Sequence, residues 1–433
     1  MGRATYLPAR RGPSSLTELG GAPTIPRVRP QRQLTCVVAL AAALALAAAG
    51  AAQTRADPAL QRKLATALRV PHVRPGQTGA LAVELDTGQP VFARNSGVPF
   101  APASTEKLTV TLAALSILGP AFRFETDVLG EGSQQGAVWQ GSLVLQGHGD
   151  PTLSAGDLKD LALQLRQLGV RRISGSVLGD ESWFDARRTA PGWRADFYLN
   201  ESPPLSALAV DRAHYRGAFS TQPALGAALA FRDALRAAGI AVGGRPATGH
   251  ADVQAFPLVS VTSPTLAAIV RSMDLQSDNY TAELLLKELG AVTASRGTTA
   301  AGAAVVTKQL AAANVPLAGV RIVDGSGLSL LDRLTPNALV GILEAAWATP
   351  QLRTRFLASL PVAGVSGTLQ DRMRRPPARG NVVAKTGTTS EASALSGFVR
   401  GRYVFAVVHN GHPISSWWAR VAQDRFATVL ASQ

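Results

Sequence analysis

The chain opens with a polar stretch, passes one apolar run, and then alternates strand-like and helix-like hydrophobic patterns to its end. The apolar run covers residues 36–52, 17 residues rich in Ala and Leu, with small-residue sites at Ala49-Gly50-Ala51 and Thr54-Arg55-Ala56. Behind a basic segment, this predicts a secretory signal peptide with an extended n-region. The run is at the short limit for a membrane span. Residues 1–56 are therefore read as a leader, and the protein is expected to be exported to the periplasm or the extracytoplasmic envelope, with membrane attachment only through an uncleaved leader.

Beyond the leader, residues 61–68 have a helical pattern. A strand over 79–85, a turn at Asp86-Thr87-Gly88 and a returning strand over 90–93 follow. Leu108, Leu112 and Leu115 recur at spacings of four and three and stop at Gly119-Pro120, which predicts a helix beginning at Ser104. The texture changes past residue 125. A strand over 142–146 precedes the turn-rich Gly147-His148-Gly149-Asp150-Pro151, and Ser154 with Asp157 forms a capping-box signature for a helix ending near Gly169. A strand over 172–178 and a helix over 223–238 complete what reads as an inserted domain, 126–239, between the two parts of a main domain, 57–125 and 240–433. In the second part, Ser263-Pro264 reads as the cap and first turn of a helix to 273. A loop over 275–279, a helix over 280–289 closed by Gly290, and a helix over 299–313 come next. A strand over 320–323, a helix opened by Thr335-Pro336, three strands over 381–388, 394–400 and 403–409, and a helix over 415–430 with Trp418, Val421 and Val429 on one side finish the chain.

Composition narrows the function. Hydrophobic residues make up 46% of the chain, as in a packed globular protein. The net charge is +14, of which residues 1–33 carry +5 from six Arg and one Glu, leaving +9 for the rest. There is no basic run with interleaved aromatics and no zinc spacing, so nucleic acid is not an expected partner. The excess reads as a solvated Arg-rich surface attracted to an anionic envelope polymer. The sole cysteine, Cys36, lies in the leader, so the mature chain has neither a disulfide nor a thiolate nucleophile. His409 and His412 lack an evident third partner, and no metal site is expected.

The candidate chemistry lies in three short motifs. Ser104 and Lys107, three residues apart, share a helix face, which suits a hydroxyl nucleophile beside an amine base in a site that lowers the amine pKa. Arg could not replace Lys107, because it does not release its proton in proteins. Ser277-Asp278-Asn279 and Lys385-Thr386-Gly387 follow, the first between helices and the second on a strand near the C-terminus. Each motif alone is weak; their order, setting and export signal are together specific.

From about residue 60 to the end, the chain resembles the class C low-molecular-mass penicillin-binding proteins, the D-alanyl-D-alanine carboxypeptidase/endopeptidase family. The likeness rests on Pro102-Ala-Ser-Thr-Glu-Lys, Gly149-Asp-Pro, Ser277-Asp-Asn-Tyr-Thr-Ala-Glu, Asp324-Gly-Ser-Gly-Leu-Ser, Arg333-Leu-Thr-Pro, Ala384-Lys-Thr-Gly-Thr and Ala394-Leu-Ser-Gly. It implies an α/β (α+β) fold of the penicillin-recognising serine transferase/β-lactamase type, with an antiparallel sheet flanked by helices. It implies Ser104 as nucleophile, Lys107 as base and Ser277 as proton relay. Asn279, Lys385, Thr386, Gly387 and Thr388 would bind substrate, and the N–H groups of Ser104 and Thr388 would form an oxyanion hole. The implied substrate is a peptidoglycan stem peptide ending in D-Ala-D-Ala, with β-lactams as inhibitors and no cofactor. Two positions depart from the family: Leu330 and Asp332 stand where Arg and Asn are usual. The 173 residues from Ser104 to Ser277 imply one inserted domain where the fullest members hold two. A serine β-lactamase is the alternative, although Asp196-Phe-Tyr-Leu-Asn200 precedes Ser277 and so lies out of order for that enzyme's deacylating element. A non-catalytic cell-wall-binding or β-lactam-binding protein on the same fold is the other.

Overall fold

A computed structural model describes residues 57–433, so the expected leader lies outside the described residues. The strands Val382–Thr388, Ala392–Val399, Tyr403–Asn410, Thr78–Glu84 and Pro90–Arg94 lie side by side in that order as one antiparallel sheet. Thr78 pairs with His409 and Lys385 with Ser396. Both faces are covered, and side chains alternate between them as the two-residue period of a strand requires. Leu81, Val83, Val404, Ala406, Val408 and Phe398 enter one core, with the helices Lys107–Ile117, Leu266–Gln276, Asn279–Ala294 and Pro336–Ala348. Ala80, Ala82, Phe405, Val407, Leu395 and Val399 enter the other, under the helices Pro58–Ala67 and Ser416–Ala431. This double burial explains why the C-terminal strands are almost continuously apolar although they are antiparallel.

The chain leaves this core after Lys107–Ile117 and builds a second sheet. Its strands Ala247–Thr248, Val177–Asp180, Val138–Gly147, Glu125–Gln135 and Phe256–Thr262 are adjacent in that order, with Arg172–Ile173 and Ala241–Val242 attached at one side. The helices Ala155–Gln167 and Pro223–Ala237 pack their apolar faces on it. Exit and return are pinned by one residue pair: Phe124 N–H donates to Ser263 Oγ at 2.9 Å, and Ser263 N–H donates to Phe124 O at 3.0 Å. The second sheet thus extends to Thr262, past the expected boundary at 239, because Phe256–Thr262 pairs with Glu125–Gln135.

Several local expectations change. Ser263 is not a helix cap. Its hydroxyl is taken by that junction, and the helix begins at Leu266 after Thr265 and runs to Gln276. Residues 172–178 form two short strands around Ser174-Gly175-Ser176 rather than one. Residues 320–323 make only an isolated bridge, Arg321 to Arg333. The C-terminal helix buries Ala419, Ala422, Phe426 and Leu430, whereas Trp418, Val421 and Val429 are only half-buried. Gly290 does not end its helix, which continues to Ala294. It lies instead where that helix meets Thr299–Ala312; a Cβ on Gly290 would stand 2.8 Å from Gly302 N, and one on Gly302 only 1.9 Å from Leu286 O.

Helix Thr299–Ala312 therefore depends on backbone-to-backbone approach at Gly302. Gly302→Ala is expected to destabilise the protein by about 3 kcal/mol, the upper part of the range for overpacking, seen as a lower urea midpoint with unchanged slope. A midpoint equal to wild type would show a looser contact.

Candidate active site

The site is assembled at one edge of the five-stranded sheet, where strand Val382–Thr388 faces two helix starts. Residues Ala103–Glu106 form a turn of 3₁₀ helix that runs into Lys107–Ile117, so the regular helix begins three residues after Ser104. Thr105 Oγ1 donates to Pro102 O at 2.7 Å and ties down the turn. Strand Val382–Thr388 passes so close that a Cβ on Gly387 would lie 3.0 Å from Ser104 N and 2.9 Å from Pro102 O. Only glycine leaves room at that crossing.

Lys107 is fully buried, and its Nζ has three partners: Ser104 Oγ at 2.9 Å, Asn279 Oδ1 at 2.8 Å and Ser326 O at 2.7 Å. The carbonyl of Ser326 can only accept, and the amide oxygen of Asn279 likewise. These two contacts hold two N–H bonds in either protonation state. The third contact can reverse: an ammonium donates to Ser104 Oγ, whereas a neutral amine accepts the Ser104 proton. Burial pulls the Lys107 pKa down to about 8 against the opposing pull of Asp324 and Asp278.

Lys385 is the second buried amine. Its Nζ donates to Ser277 Oγ at 2.8 Å and to Thr386 O at 3.0 Å. Burial, then the Lys107 charge, bring its pKa down to about 7, with Asp274 opposing. Ser277 reaches it from the left-handed residue (φ 58°) that ends the helix Leu266–Gln276, so the interhelical segment is shorter than the expected 275–279 loop. Asp278 caps the next helix: it accepts from Tyr280 N at 3.1 Å and Thr281 Oγ1 at 2.6 Å, and pairs with Arg212. Asn279 Nδ2 donates to Glu201 O at 3.0 Å. The Thr386 hydroxyl meets Thr368 Oγ1 at 2.7 Å, and that of Thr388 turns to Gly387 O at 2.8 Å.

The structure thus joins Ser104 to Lys107 and Asn279, and Ser277 to Lys385, with Gly387 packed on the Ser104 turn and the Thr386 and Thr388 hydroxyls engaged locally. His409 is buried against Thr78 Oγ1 at 3.0 Å, while His412 is exposed beside Glu391. Sequence reasoning missed the supporting groups. Behind Lys107 lie the buried carboxyls of Glu106, Glu283, Asp324 and Asp332. Glu283 Oε1 accepts from Gly325 N at 3.0 Å and Ser326 N at 2.9 Å, fixing the turn that presents Ser326 O. Asp274, between the two lysines, accepts from Thr111 and Ser359 hydroxyls, each at 2.9 Å. In the sequence Glu106, Glu283 and Asp324 stand inside the motifs that carry the resemblance and Asp332 at a position that departs from it, but nothing there says that the four gather beside one lysine.

A cleft with two buried amines, each ending on a serine hydroxyl and mounted on a sheet between helical layers, is the arrangement of the penicillin-recognising serine enzymes. The comparisons agree: the sequence matches the D-Ala-D-Ala carboxypeptidase 3 (S13) family over residues 60–227 and 217–433, and the chain belongs to that family. It is 32% identical over 458 residues to a D-alanyl-D-alanine carboxypeptidase of Actinomadura sp. (strain R39), covering 86% of this chain and 84% of the relative. The fold is shared with penicillin binding protein 4 (dacB) of Haemophilus influenzae, at a TM-score of 0.77, 23% identity, and coverage of 86% of this chain and 98% of that one. It is also shared with a penicillin G acylated predatory endopeptidase of Bdellovibrio bacteriovorus in complex with an immunity protein, at a TM-score of 0.53, 19% identity, and coverage of 81% and 90%.

The depressed lysines have a thermodynamic signature. A lysine that ionises near pH 8 when folded and near about 10.4 when unfolded binds fewer protons in the folded state across that window, so stability rises with pH there. Below it the full cost of burying the charge is present. Lys107→Met removes this group, so the melting temperature of wild type minus that of the variant is expected to rise between about pH 8 and 10. A flat difference would mean that Lys107 is not depressed.

Proposed function

We propose that the protein is a serine-type D-alanyl-D-alanine carboxypeptidase that cleaves peptidoglycan stem peptides through an acyl-enzyme on Ser104, working in the cell envelope and inhibited by β-lactams. The observation that carries this reading is the contact set of Lys107: two fixed acceptors and one reversible partner, the Ser104 hydroxyl. Family membership and the name of the Actinomadura relative support the substrate class.

In the proposed reaction Ser104 Oγ attacks the carbonyl of the penultimate D-Ala, and its proton passes to neutral Lys107 Nζ. The N–H groups of Ser104 and Thr388 face the oxyanion. The C–N bond breaks as the departing D-Ala nitrogen gains, by way of Ser277 Oγ, the proton that Lys107 took from Ser104, which leaves Lys107 neutral again. Water then attacks the ester carbonyl and gives a proton to Lys107, which passes it to Ser104 Oγ as the ester C–O bond breaks and the shortened peptide leaves. Lys385 as ammonium receives the terminal carboxylate, and the arriving anion favours its charged form. Two amines facing one cleft disfavour a double charge, so a charged Lys385 helps to keep Lys107 neutral. Asn279 keeps a second amide hydrogen beyond the one held by Glu201 O for the substrate amide.

A crosslinked peptide offers the same D-Ala carbonyl with a longer amine side, so endopeptidase activity is compatible with this mechanism. The β-lactamase alternative differs in deacylation rate. Incubation with benzylpenicillin followed by intact-mass measurement is expected to show a long-lived covalent adduct. The adduct should be absent in Ser104→Ala, and release of D-Ala from a D-Ala-D-Ala peptide should fall by at least about 10³-fold in that variant. A brief adduct with penicillin consumed would establish a β-lactamase. No adduct and no D-Ala release in wild type would leave a binding protein.

A further inference from the structure

Asp324 and Asp332 are both fully buried near Lys107, and they are adjacent: the backbone N–H of Asp324 donates to Asp332 Oδ1 at 3.3 Å. Two buried carboxylates side by side repel each other and are both costly to desolvate, which favours a proton on one of them. The surroundings decide which. Asp324 receives donors on both oxygens: Gly327 N at 2.7 Å on Oδ1, and Ser329 N at 2.7 Å, Trp193 Nε1 at 2.8 Å and Ser326 Oγ at 3.1 Å on Oδ2. That set demands an acceptor-only group, the carboxylate. Asp332 Oδ1 accepts from Val323 N at 2.7 Å and from Asp324 N at 3.3 Å, but its Oδ2 is buried and receives no donor. An ionised Asp332 would leave that oxygen uncompensated, whereas a protonated one donates.

We propose that Asp332 is a positioning residue that stays protonated and donates to the Asp324 carboxylate, so that the turn presenting Ser326 O to Lys107 carries one negative charge instead of two. The other groups facing this pair point the same way. Glu106 approaches from the Ser104 turn and Glu283 from helix Asn279–Ala294, and both are buried carboxyls with one oxygen lacking a partner. Arg321 Nε donates to Leu331 O, and Arg333 Nη1 donates to Leu330 O and Asp332 O, so the contacts of both are with backbone carbonyls. Lys107 is the buried cation on which Asp324 and Glu283 act, and its charge acts in turn on Glu106. Burial first, then Asp324 and Glu106, push the Asp332 pKa up to about 12. A second negative charge here would hold Lys107 as ammonium and deny it the Ser104 proton.

The functional part of this inference rests on Lys107 acting as the base. The test is the pH dependence of benzylpenicillin acylation in wild type, Asp332→Asn and Asp332→Ala, with infrared spectra of the same proteins at neutral pH. Asn at 332 can accept from Val323 N and donate to Asp324 as the neutral acid does. The acid limb of acylation, set by Lys107, is expected to move by less than about 0.2 pH unit in Asp332→Asn. The infrared difference should show loss of one protonated-carboxyl C=O band. Asp332→Ala is expected to slow acylation by about tenfold or more, because Ser326 O loses its support. A downward shift of the limb in Asp332→Asn by about half a unit or more would mean that a negative charge was removed, and would overturn the proposal. An unchanged carboxyl band, an Asp332→Asn protein that fails to fold, or an Asp332→Ala protein acylated like wild type would do the same. Wild type that is never acylated would defeat the serine-enzyme reading instead, and the infrared band alone would then decide the protonation state of Asp332.

Discussion

The site depends on keeping an amine out of water without leaving it unpaired. Burying Lys107 is unfavourable for its charged form, and three contacts from three parts of the chain hold the side chain in place: the Ser104 turn, the first residue of a helix, and the carbonyl of Ser326. Two of these partners cannot change roles with protonation, and one can. That asymmetry turns a buried lysine, usually a liability, into a group that can take up and return one proton. Lys385 repeats the arrangement on the facing strand with Ser277, and the proximity of the two amines limits how much positive charge the cleft holds at once.

Residues from the stretch between the Ser104 turn and the Ser277 loop are bound into this arrangement. Arg212 pairs with Asp278, stacking over Tyr280 at 5.2 Å, and Glu201 O holds the amide of Asn279. Trp193 Nε1 donates to Asp324 and Trp183 Nε1 to Glu288 at 2.7 Å, while the buried Lys287 pairs with Asp185. Arg212 belongs to a run of three consecutive left-handed residues, Asp211, Arg212 and Ala213. Non-glycine residues adopt that conformation at a cost, and here it points the guanidinium at the cap of the helix that begins with Asn279. The segment that follows strand Val177–Asp180, from Trp183 to Arg212, therefore braces the residues around the Ser277-Asp278-Asn279 motif.

Legibility followed the range of the interactions. The Ser104–Lys107 spacing, the Ser154–Asp157 capping box and the three C-terminal strands are fixed by contacts between near neighbours or by an alternation printed in the residues themselves. The capping box is present with both of its reciprocal bonds. Strand Glu125–Gln135 escaped notice because its exposed half is Glu, Gln, Ser and Gly, and its identity comes from pairing with Val138–Gly147 and Phe256–Thr262. Gly290 misled for a related reason. A glycine that permits two helices to touch has the same letter as one that ends a helix.

The sequence by itself determined the motifs, their order, the sheet's apolar strands and the absence of cysteine after residue 36, because each is a property of composition or of spacing over a few residues. Tertiary structure alone decided that Ser326 O and Asn279 Oδ1 would meet Lys107 across 219 and 172 residues of chain. It also decided that four acids scattered from Glu106 to Asp332 would gather behind one amine. Charge states are set by dielectric and by neighbours, and neither exists until the chain has folded around them. A carboxyl reads as a negative charge in any sequence; only the enclosure around Asp332, whose Oδ2 receives no donor, makes it an acid that keeps its proton.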